Sequence, residues 1–276
     1  MSAPGAIDPD AFNAFERASW AQVVAPYADN FGSLTTQAIG PLLDAVGAGP
    51  GVRLLDVACG PGWLSAAARD RGARPTGVDA AEAMVIEARR RYPDLDFQQG
   101  DAENLPFADG EFDAVGMSFG LLHMGWPERA LQEAHRVLRP GGGIAFTVWA
   151  PADEAIAFKL ILGSIQAHGT LDVPLPPGPP FFRFSDPEES RRALTSAGFV
   201  APEFKTVQQV WRLPSPEALF AAALEATART RGLLREQTPA ALAAIRAAIV
   251  EAARPYQTER GVELPMPAVL AWARKP

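Results

Sequence analysis

The chain has 276 residues, with 25 Lys or Arg against 32 Asp or Glu, so its formal net charge at pH 7 is −7. This acidic balance argues against a nucleic-acid partner, while 48% apolar and 21% charged residues are typical of a globular protein with a buried core. A single cysteine, Cys59, excludes an internal disulfide and a cysteine-built zinc site, and with three histidines in the chain we expect no metal site.

The start of the chain shows no targeting segment. Residues 1–15 lack both the basic region and the apolar region of a secretory signal. Charges, Pro or Gly interrupt every apolar run before it reaches the roughly 18 residues that a membrane span needs. We therefore expect a cytoplasmic protein that does not insert into a membrane.

The first fifty residues are predicted to be helical. Apolar side chains recur there at spacings near three and four, and Pro26 is expected to interrupt the first helix. A second helix is predicted from Ser33, a good N-cap, to Val46, where two glycines follow within three residues.

Strands and helices then alternate up to residue 150. Strands are predicted at 52–58, 74–79, 95–101, 112–120 and 142–150, and helices at 63–72, 80–92 and 127–139. This alternation implies parallel strands joined by right-handed crossovers, and hence an open α/β sheet with helices on both faces. Such sheets bind ligands at the carboxyl ends of their strands, where Asp56, Asp79, Asp101 and residues 118–123 are expected.

The regular alternation ends after residue 150. A helix is predicted at 153–168, and the five prolines of residues 173–184 predict a loop or lid. The remaining predicted elements are helices at 185–199, 216–231 and 239–254 and strands at 204–213 and 266–275.

The sharpest signal is the glycine loop after the first strand, where Asp56 is followed by Gly60 and Gly62. Glycines let the backbone approach a ligand closely, although ordinary strand-to-helix turns also contain them. A dinucleotide-binding loop would carry a third glycine where this chain has Ser65. A carboxylate beside the loop repels a pyrophosphate and attracts an ammonium group, so we expect a ligand that carries a cation.

Two further acids end strands at the same edge of the predicted sheet. Asp79 comes seventeen residues after Gly62, where the residue that binds ribose hydroxyls usually lies, although an Asp here also serves as a helix N-cap. Asp101 stands where a carboxylate could accept from the amine of an adenine, or could form a turn after a glycine. A nucleoside site is indicated more strongly by the two acids together, in this order along the chain, than by either acid alone.

Five segments in order resemble the motifs of class I S-adenosylmethionine-dependent methyltransferases. They are LLDVACGPGWLS (54–65), TGVDAAEAM (76–84), QQGDAENLPFADGEFDAV (98–115), SFGLLHM (118–124) and HRVLRPGGGIAFTVW (135–149). The resemblance is strongest to the branch that contains the ubiquinone and menaquinone biosynthesis methyltransferases. It implies S-adenosylmethionine as cofactor and S-adenosylhomocysteine as product.

The resemblance also implies the architecture. We expect a Rossmann-like open sheet of seven strands, six parallel and the last antiparallel, with helices on both faces and a helical cap. The expected division is an N-terminal helical lid at 1–50, a cofactor-binding core at 51–150 and a C-terminal part at 151–276. That last part would hold the substrate cap, at about 151–184 and 216–254, and the final strands.

The resemblance implies a role for each matching position. Asp56 with the backbone of Ala58, Gly60 and Gly62 would hold the methionine end, and Asp79, with Glu103 as a further candidate, would bind the ribose. Ala80 and Met84 would pack on the adenine, and Asp101 with the amide of Ala102 would bind its polar edge. Ser118 and Phe119 would close over the sulfonium side, and Tyr27 would supply an aromatic lid residue or simply pack under its helix.

His123 is the candidate general base and a candidate substrate contact. An acceptor hydroxyl or carbon acid would need a base, whereas a neutral amine would not. Phe181 and Phe182 of the proline-rich segment are the other candidate substrate contacts, since aromatic side chains there suggest a largely apolar acceptor.

The resulting hypothesis is a methyltransferase of secondary metabolism that acts on oxygen, nitrogen or carbon of a small-molecule acceptor, as a monomer or homodimer. The first alternative is an NAD(P)-dependent oxidoreductase. The second is a non-methylating relative that binds S-adenosylmethionine and acts as a partner subunit.

The segment SFGL at 118–121 stands where enzymes that methylate nucleobase amines carry the motif Asn-Pro-Pro-aromatic. This difference also argues against a nucleic-acid substrate.

Overall fold

A computed structural model describes residues 7–276. The strands in this range are β1 (Arg53–Val57), β2 (Arg74–Asp79), β3 (Asp96–Gln99), β4 (Phe112–Ser118), β5 (Leu138–Trp149), β6 (Val200–Val207), β7 (Val210–Leu213), β8 (Gln257–Thr258), β9 (Gly261–Pro265) and β10 (Ala268–Arg274). The helices are α1 (Pro9–Ala21), α2 (Val24–Thr35), α3 (Ile39–Ala45), α4 (Trp63–Asp70), α5 (Glu82–Arg91), α6 (Pro127–Val137), α7 (Ile156–His168), α8 (Pro187–Ser196), α9 (Pro216–Glu225), α10 (Arg229–Arg235) and α11 (Pro239–Ala253).

The main sheet has seven strands in the order β3-β2-β1-β4-β5-β10-β6. The strand β10 lies between β5 and β6 and runs antiparallel to both, while β1 to β5 pair in parallel. The predicted sheet of six parallel strands and one antiparallel last strand is therefore confirmed. Its central strand β1 has Leu54, Leu55 and Val57 fully buried, because helices cover both faces of a parallel sheet.

The prediction of one strand at 204–213 is wrong, because two strands of different sheets share this segment. The first, β6, pairs with β10 in the main sheet, and the second, β7, pairs with β9 in a three-stranded antiparallel sheet. Gln209 stands at the change of sheet and is 2% exposed. Its side-chain amide donates to the backbone carbonyl of Leu34 at 2.9 Å, and its backbone carbonyl accepts from Met266 N at 2.9 Å. Tertiary contacts therefore hold the bend.

The N-terminal helices also break at other places than predicted. The first break falls at residues 22–23. Pro26 lies in the first turn of α2, where backbone N–H groups have no partner within the helix, so a proline there costs no helical hydrogen bond. Ser33 lies inside α2, and a 3₁₀ turn at Thr36–Ala38 separates α2 from α3. Similarly, residues 226–228 divide the helix predicted at 216–231 into α9 and α10.

The predicted division at residues 50 and 150 stays a prediction, and residues 1–6 of the predicted lid lie outside the described residues. Across residues 7–276, no helix combines the length and the apolar character that crossing a bilayer takes. The carboxyl ends of β1, β2 and β4 reach one edge of the main sheet, and α1, α2 and the start of α10 cover this edge.

Candidate active site

A cavity lies between that edge of the sheet and the covering helices. Most of the predicted site residues lie on its wall: Tyr27, Ala58, Gly60, Asp79, Ala80, Met84, Asp101, Ala102, Glu103, Ser118, Phe119, His123 and Phe181. The three that do not are Asp56, Gly62 and Phe182. Residues from five separate stretches of the chain, and from the proline-rich segment, thus meet at one place.

Asp79 connects two loops at the floor of the cavity. Its Oδ2 accepts a hydrogen bond from the backbone N–H of Gly60, and its Oδ1 accepts from that of Ala81, each at 2.9 Å. Burial raises the pKa of Asp79, and the two backbone donors oppose this effect. The same carboxylate that faces the cavity therefore also holds the glycine loop against the start of α5.

Asp56 lies behind the glycine loop. It is 1% exposed, and its Oδ2 accepts hydrogen bonds from the backbone N–H of Ser65 at 2.9 Å and from the Ser65 hydroxyl at 2.7 Å. Burial raises its pKa to about 7, although the bonds from Ser65 lower it. Two donors in the first turn of α4 thus hold this carboxylate, which does not lie on the cavity wall, and its contact with the methionine end stays a prediction.

The two loop glycines differ in their surroundings. Both have positive φ, 51° at Gly60 and 86° at Gly62. A Cβ on Gly60 would meet nothing within 4 Å, whereas a Cβ on Gly62 would lie 2.7 Å from Cζ of Phe97. Gly60 thus leaves open space beside the cavity, while Gly62 permits the loop to pack closely on β3.

Glu103 joins the far end of the cavity to α1. Its Oε2 accepts from the side-chain amide of Asn13 at 2.9 Å, and its Oε1 accepts from Trp126 N at 2.7 Å. The Asn13 carbonyl oxygen accepts from Gly125 N at 2.7 Å, so the segment after β4 is tied to the same helix. Desolvation raises the pKa of Glu103, and these donors oppose it.

His123 lies in the 3₁₀ turn Leu121–His123 that follows β4. Its Nδ1 is 2.9 Å from Oε2 of Glu16, and the indole N–H of Trp20 donates to the same oxygen at 3.1 Å. Glu16 is 3% exposed. The sequence reasoning did not single out Glu16, although it stands four residues after Phe12 and four before Trp20, a helical spacing that places a carboxylate on the buried face of α1.

Aromatic side chains that the sequence reasoning did not include form the other end of the cavity. Trp149 and Phe158 lie on its wall, with ring centroids 5.6 Å apart, and Phe119 stacks on Trp149 at 4.1 Å. Phe181 contacts Phe158 from the proline-rich segment, with centroids 5.5 Å apart. Phe182 lies in a neighbouring groove and still contacts Phe158 by its edge.

The segment between α9 and α10 closes the remaining side. Thr227, Ala228, Arg229 and Thr230 lie on the cavity wall. The Arg229 guanidinium donates to the Pro176 carbonyl at 3.0 Å, and thereby connects α10 to the proline-rich segment. Within residues 7–276, no group of three His, Cys, Asp or Glu side chains is arranged to hold a metal ion.

A family model and several named relatives match parts of the chain. A family model described as "Methyltransferase domain" matches residues 55–146. A demethylmenaquinone methyltransferase of Beutenbergia cavernae is 46% identical over 123 residues, which cover 43% of this chain and 51% of the relative. A demethylmenaquinone methyltransferase of Clavibacter sepedonicus is 31% identical over 191 residues, 63% of this chain and 73% of the relative.

The chain spans about half the length of the Beutenbergia relative. Among solved structures, the cyclase SpnF superposes with a TM-score of 0.54 at 24% identity, over 87% of this chain and 81% of the cyclase. At this level of identity the similarity shows a shared fold.

Proposed function

The chain belongs to the family of S-adenosylmethionine-dependent methyltransferases, and from this premise we propose that it transfers the methyl group of that cofactor to a small, largely apolar acceptor. The observation that carries the proposal is the placement of Asp79, whose carboxylate faces the cavity beside the open glycine loop. Ribose hydroxyls are donors, and each oxygen of this carboxylate has acceptor capacity beyond its one backbone partner.

The cavity offers a fitting surface for each part of the cofactor. The Gly60 backbone, beside which a Cβ would meet nothing, leaves room for the methionine end. Ala80 and Met84 present an apolar wall for the adenine, and Asp101 with the Ala102 amide presents polar groups at its edge. We assign Ser118 and Phe119 to the sulfonium side and Tyr27 to the covering helix, where burial raises its pKa to about 12 and keeps the phenol neutral.

The acceptor is assigned to the aromatic end of the cavity. Trp149, Phe158 and Phe181 form this surface together with Trp20 of α1. An aromatic surface recognises an acceptor by apolar contact and ring packing, with few polar groups to orient it. A quinone-like or phenolic compound fits these walls.

The bound cofactor supplies an electrophilic methyl group whose leaving thioether is neutral. The chain therefore has to align the acceptor atom with the methyl group and the sulfur, and to exclude water. Good alignment alone supplies effective molarities of about 10⁵ M or more. The helices α1 and α2 and the segment Ala226–Thr230 cover the cavity and perform this exclusion.

Two measurements test the proposal. Titration calorimetry with S-adenosylhomocysteine and with NADH should show binding of the first alone. Purified protein with methyl-labelled S-adenosylmethionine and a metabolite extract should give a labelled product that mass spectrometry identifies. Binding of NADH without S-adenosylhomocysteine would instead favour an oxidoreductase. Cofactor binding with no labelled product would favour a non-methylating member of the fold, and the cyclase SpnF shows that this fold also serves other named activities.

A further inference from the structure

A carboxylate and an imidazole form a buried pair at the acceptor end of the cavity. Glu16 of α1 and His123 after β4 are 107 residues apart in the chain, and their side chains meet at 2.9 Å. Both line the cavity, yet the Glu16 side chain is only 4% exposed and that of His123 is 23% exposed. The pair is therefore positioned by tertiary packing, with the imidazole nearer to the open space.

The contacts define which nitrogen of His123 is hydrogen-bonded and which is free. A carboxylate only accepts hydrogen bonds, so the Nδ1 that approaches Glu16 carries the hydrogen. Trp20 donates to the same oxygen from another side, which holds the carboxylate in place. Nε2 makes no hydrogen bond to any residue of the range 7–276, and as the second nitrogen of a neutral imidazole it is a proton acceptor.

Aromatic rings restrict the rotation of the imidazole. The Trp20 ring meets that of His123 edge-on, with centroids 4.9 Å apart, and Phe181 does so from the other segment at 5.9 Å. A base that is fixed in this way keeps its free nitrogen in one direction. This is the arrangement that proton transfer from a bound substrate requires.

Further polar and charged groups surround the pair. The second oxygen of Glu16, Oε1, is buried and has no hydrogen-bond partner among residues 7–276. Asp79 also attracts a positive charge at His123, while Arg229 attracts Glu16 and neutralises part of its charge. Tyr27 stays a neutral phenol because its pKa is raised to about 12. The other charged side chains on the cavity wall are Arg17, Asp101 and Glu103.

We propose that His123, positioned by Glu16, is the general base for an acceptor that carries an acidic hydroxyl group on an aromatic ring. This assignment rests on the methyl transfer proposed above. Nε2 takes the hydroxyl proton, and the acceptor oxygen forms a bond to the methyl carbon. The bond between that carbon and sulfur breaks with its electron pair on sulfur. The products are an aryl methyl ether, a neutral thioether and an imidazolium, which then returns its proton to water.

A phenolic hydroxyl needs this base as a methyl acceptor, whereas an aromatic amine or an aliphatic alcohol suits it less well. A neutral aromatic amine attacks without losing a proton first, and so has no need of a buried base. A phenol ionises near pH 10, within the range in which an imidazole base is effective, whereas an aliphatic alcohol is far less acidic. Trp149 and Phe158 supply the apolar walls that an aromatic ring would contact.

Kinetics with matched probes test the assignment. We use 2-naphthol and 2-naphthylamine, which share one ring system, with methyl-labelled S-adenosylmethionine. We expect wild type to form the methyl ether, and Glu16→Gln to lower kcat about tenfold or more with KM for 2-naphthol within about threefold. Glu16→Asp should recover part of the rate.

Asp10→Asn on the same helix is the matched control, since Asp10 is exposed, and it should leave the kinetics unchanged. Nitrogen NMR of His123 in the S-adenosylhomocysteine complex should show the hydrogen on Nδ1, and binding of this product by Glu16→Gln should match wild type. The proposal is overturned by hydrogen on Nε2, by methylation of the amine alone or of neither probe, or by a Glu16→Gln variant with unchanged kcat. A wild-type protein that does not bind S-adenosylhomocysteine overturns the proposed function itself.

Discussion

The carboxylate of Asp79 accepts a hydrogen bond from the backbone N–H of Gly60 at 2.9 Å, so that the end of β2 is tied to the loop that follows β1. The bond joins residues 19 positions apart and holds the backbone beside the open part of the cavity. Cofactor affinity and the shape of the loop are therefore expected to depend on the same side chain.

Replacing Asp79 tests this dependence. Asp79→Ala should weaken binding of S-adenosylhomocysteine by about 1–3 kcal/mol, the range for a lost charge-assisted hydrogen bond. Calorimetry measures the affinity, and Asp96→Ala, at an exposed carboxylate on the neighbouring strand, is the control. Unchanged affinity in Asp79→Ala would remove this residue from the proposed binding surface.

The buried carboxyl of Asp56 should make stability depend on pH. Its pKa is about 7 in the folded protein against an ordinary 3.8, so the folded state binds more protons than the unfolded state between these values. The contribution of Asp56 to the free energy of unfolding therefore falls as the pH rises from about 4 to about 7.

The side chain of the Asp56→Asn variant cannot titrate. The free energy of unfolding of this variant, relative to that of wild type, should therefore rise across this pH range by up to roughly 4 kcal/mol. Urea unfolding at a series of pH values measures this difference. Asp79 and the other titratable groups are present in both proteins, so the difference between the two curves reports on Asp56. Two parallel stability curves would contradict the raised pKa.

Gly62 should tolerate a side chain less well than Gly47, another glycine with positive φ. A Cβ at Gly62 would lie 2.7 Å from Phe97 and 3.1 Å from Tyr92, whereas at Gly47, with φ of 66°, nothing lies within 4 Å. Gly47→Ala should cost about 1 kcal/mol through backbone strain alone, and Gly62→Ala roughly 1–3 kcal/mol more through overpacking. Urea unfolding of both variants measures the difference, and equal losses would show that the loop moves without cost.

Asn13 should hold α1 over the cavity. Its side chain bonds to Glu103 at 2.9 Å and to Gly125 N at 2.7 Å, and Asn13→Ala removes both contacts. We expect amide hydrogens of α1 to exchange about tenfold to a hundredfold faster, as lost hydrogen bonds lower the free energy of local opening.

Gln22→Ala is the matched control for Asn13→Ala. Gln22 follows α1 and accepts from Arg231 at 3.2 Å on the exposed surface, outside the cavity wall. Its loss should change exchange in α1 by less than about threefold. Equal effects of the two substitutions would show that Asn13 does not hold the helix.

Much of the cavity wall could be predicted from sequence because its residues lie at strand ends. Parallel strands bring their carboxyl ends to one edge, so Asp79, Asp101 and Ser118 meet although they are far apart in the chain. Glu16 could not be found in this way. It belongs to a helix without a motif, and only the packing of α1 brings it to His123.

Local patterns also did not predict where polar groups point. Asp56 lies off the cavity wall, and the donors that bind its carboxylate come from Ser65 in the first turn of α4. Similarly, the β-type pattern of residues 204–213 continues through Gln209, where the chain passes from one sheet to the other. Periodicity records which side chains are buried, not which neighbour buries them.

The sequence by itself determined the order of strands and helices between residues 50 and 150, the antiparallel last strand through the family resemblance, and the glycine loop with its acids. These features depend on local spacing and on the rules of chain connection. Only the tertiary structure decided which carboxylate faces the cavity, where the helices break and which residue stands beside His123. Those outcomes depend on contacts between segments distant in the chain, whose energies no local pattern contains.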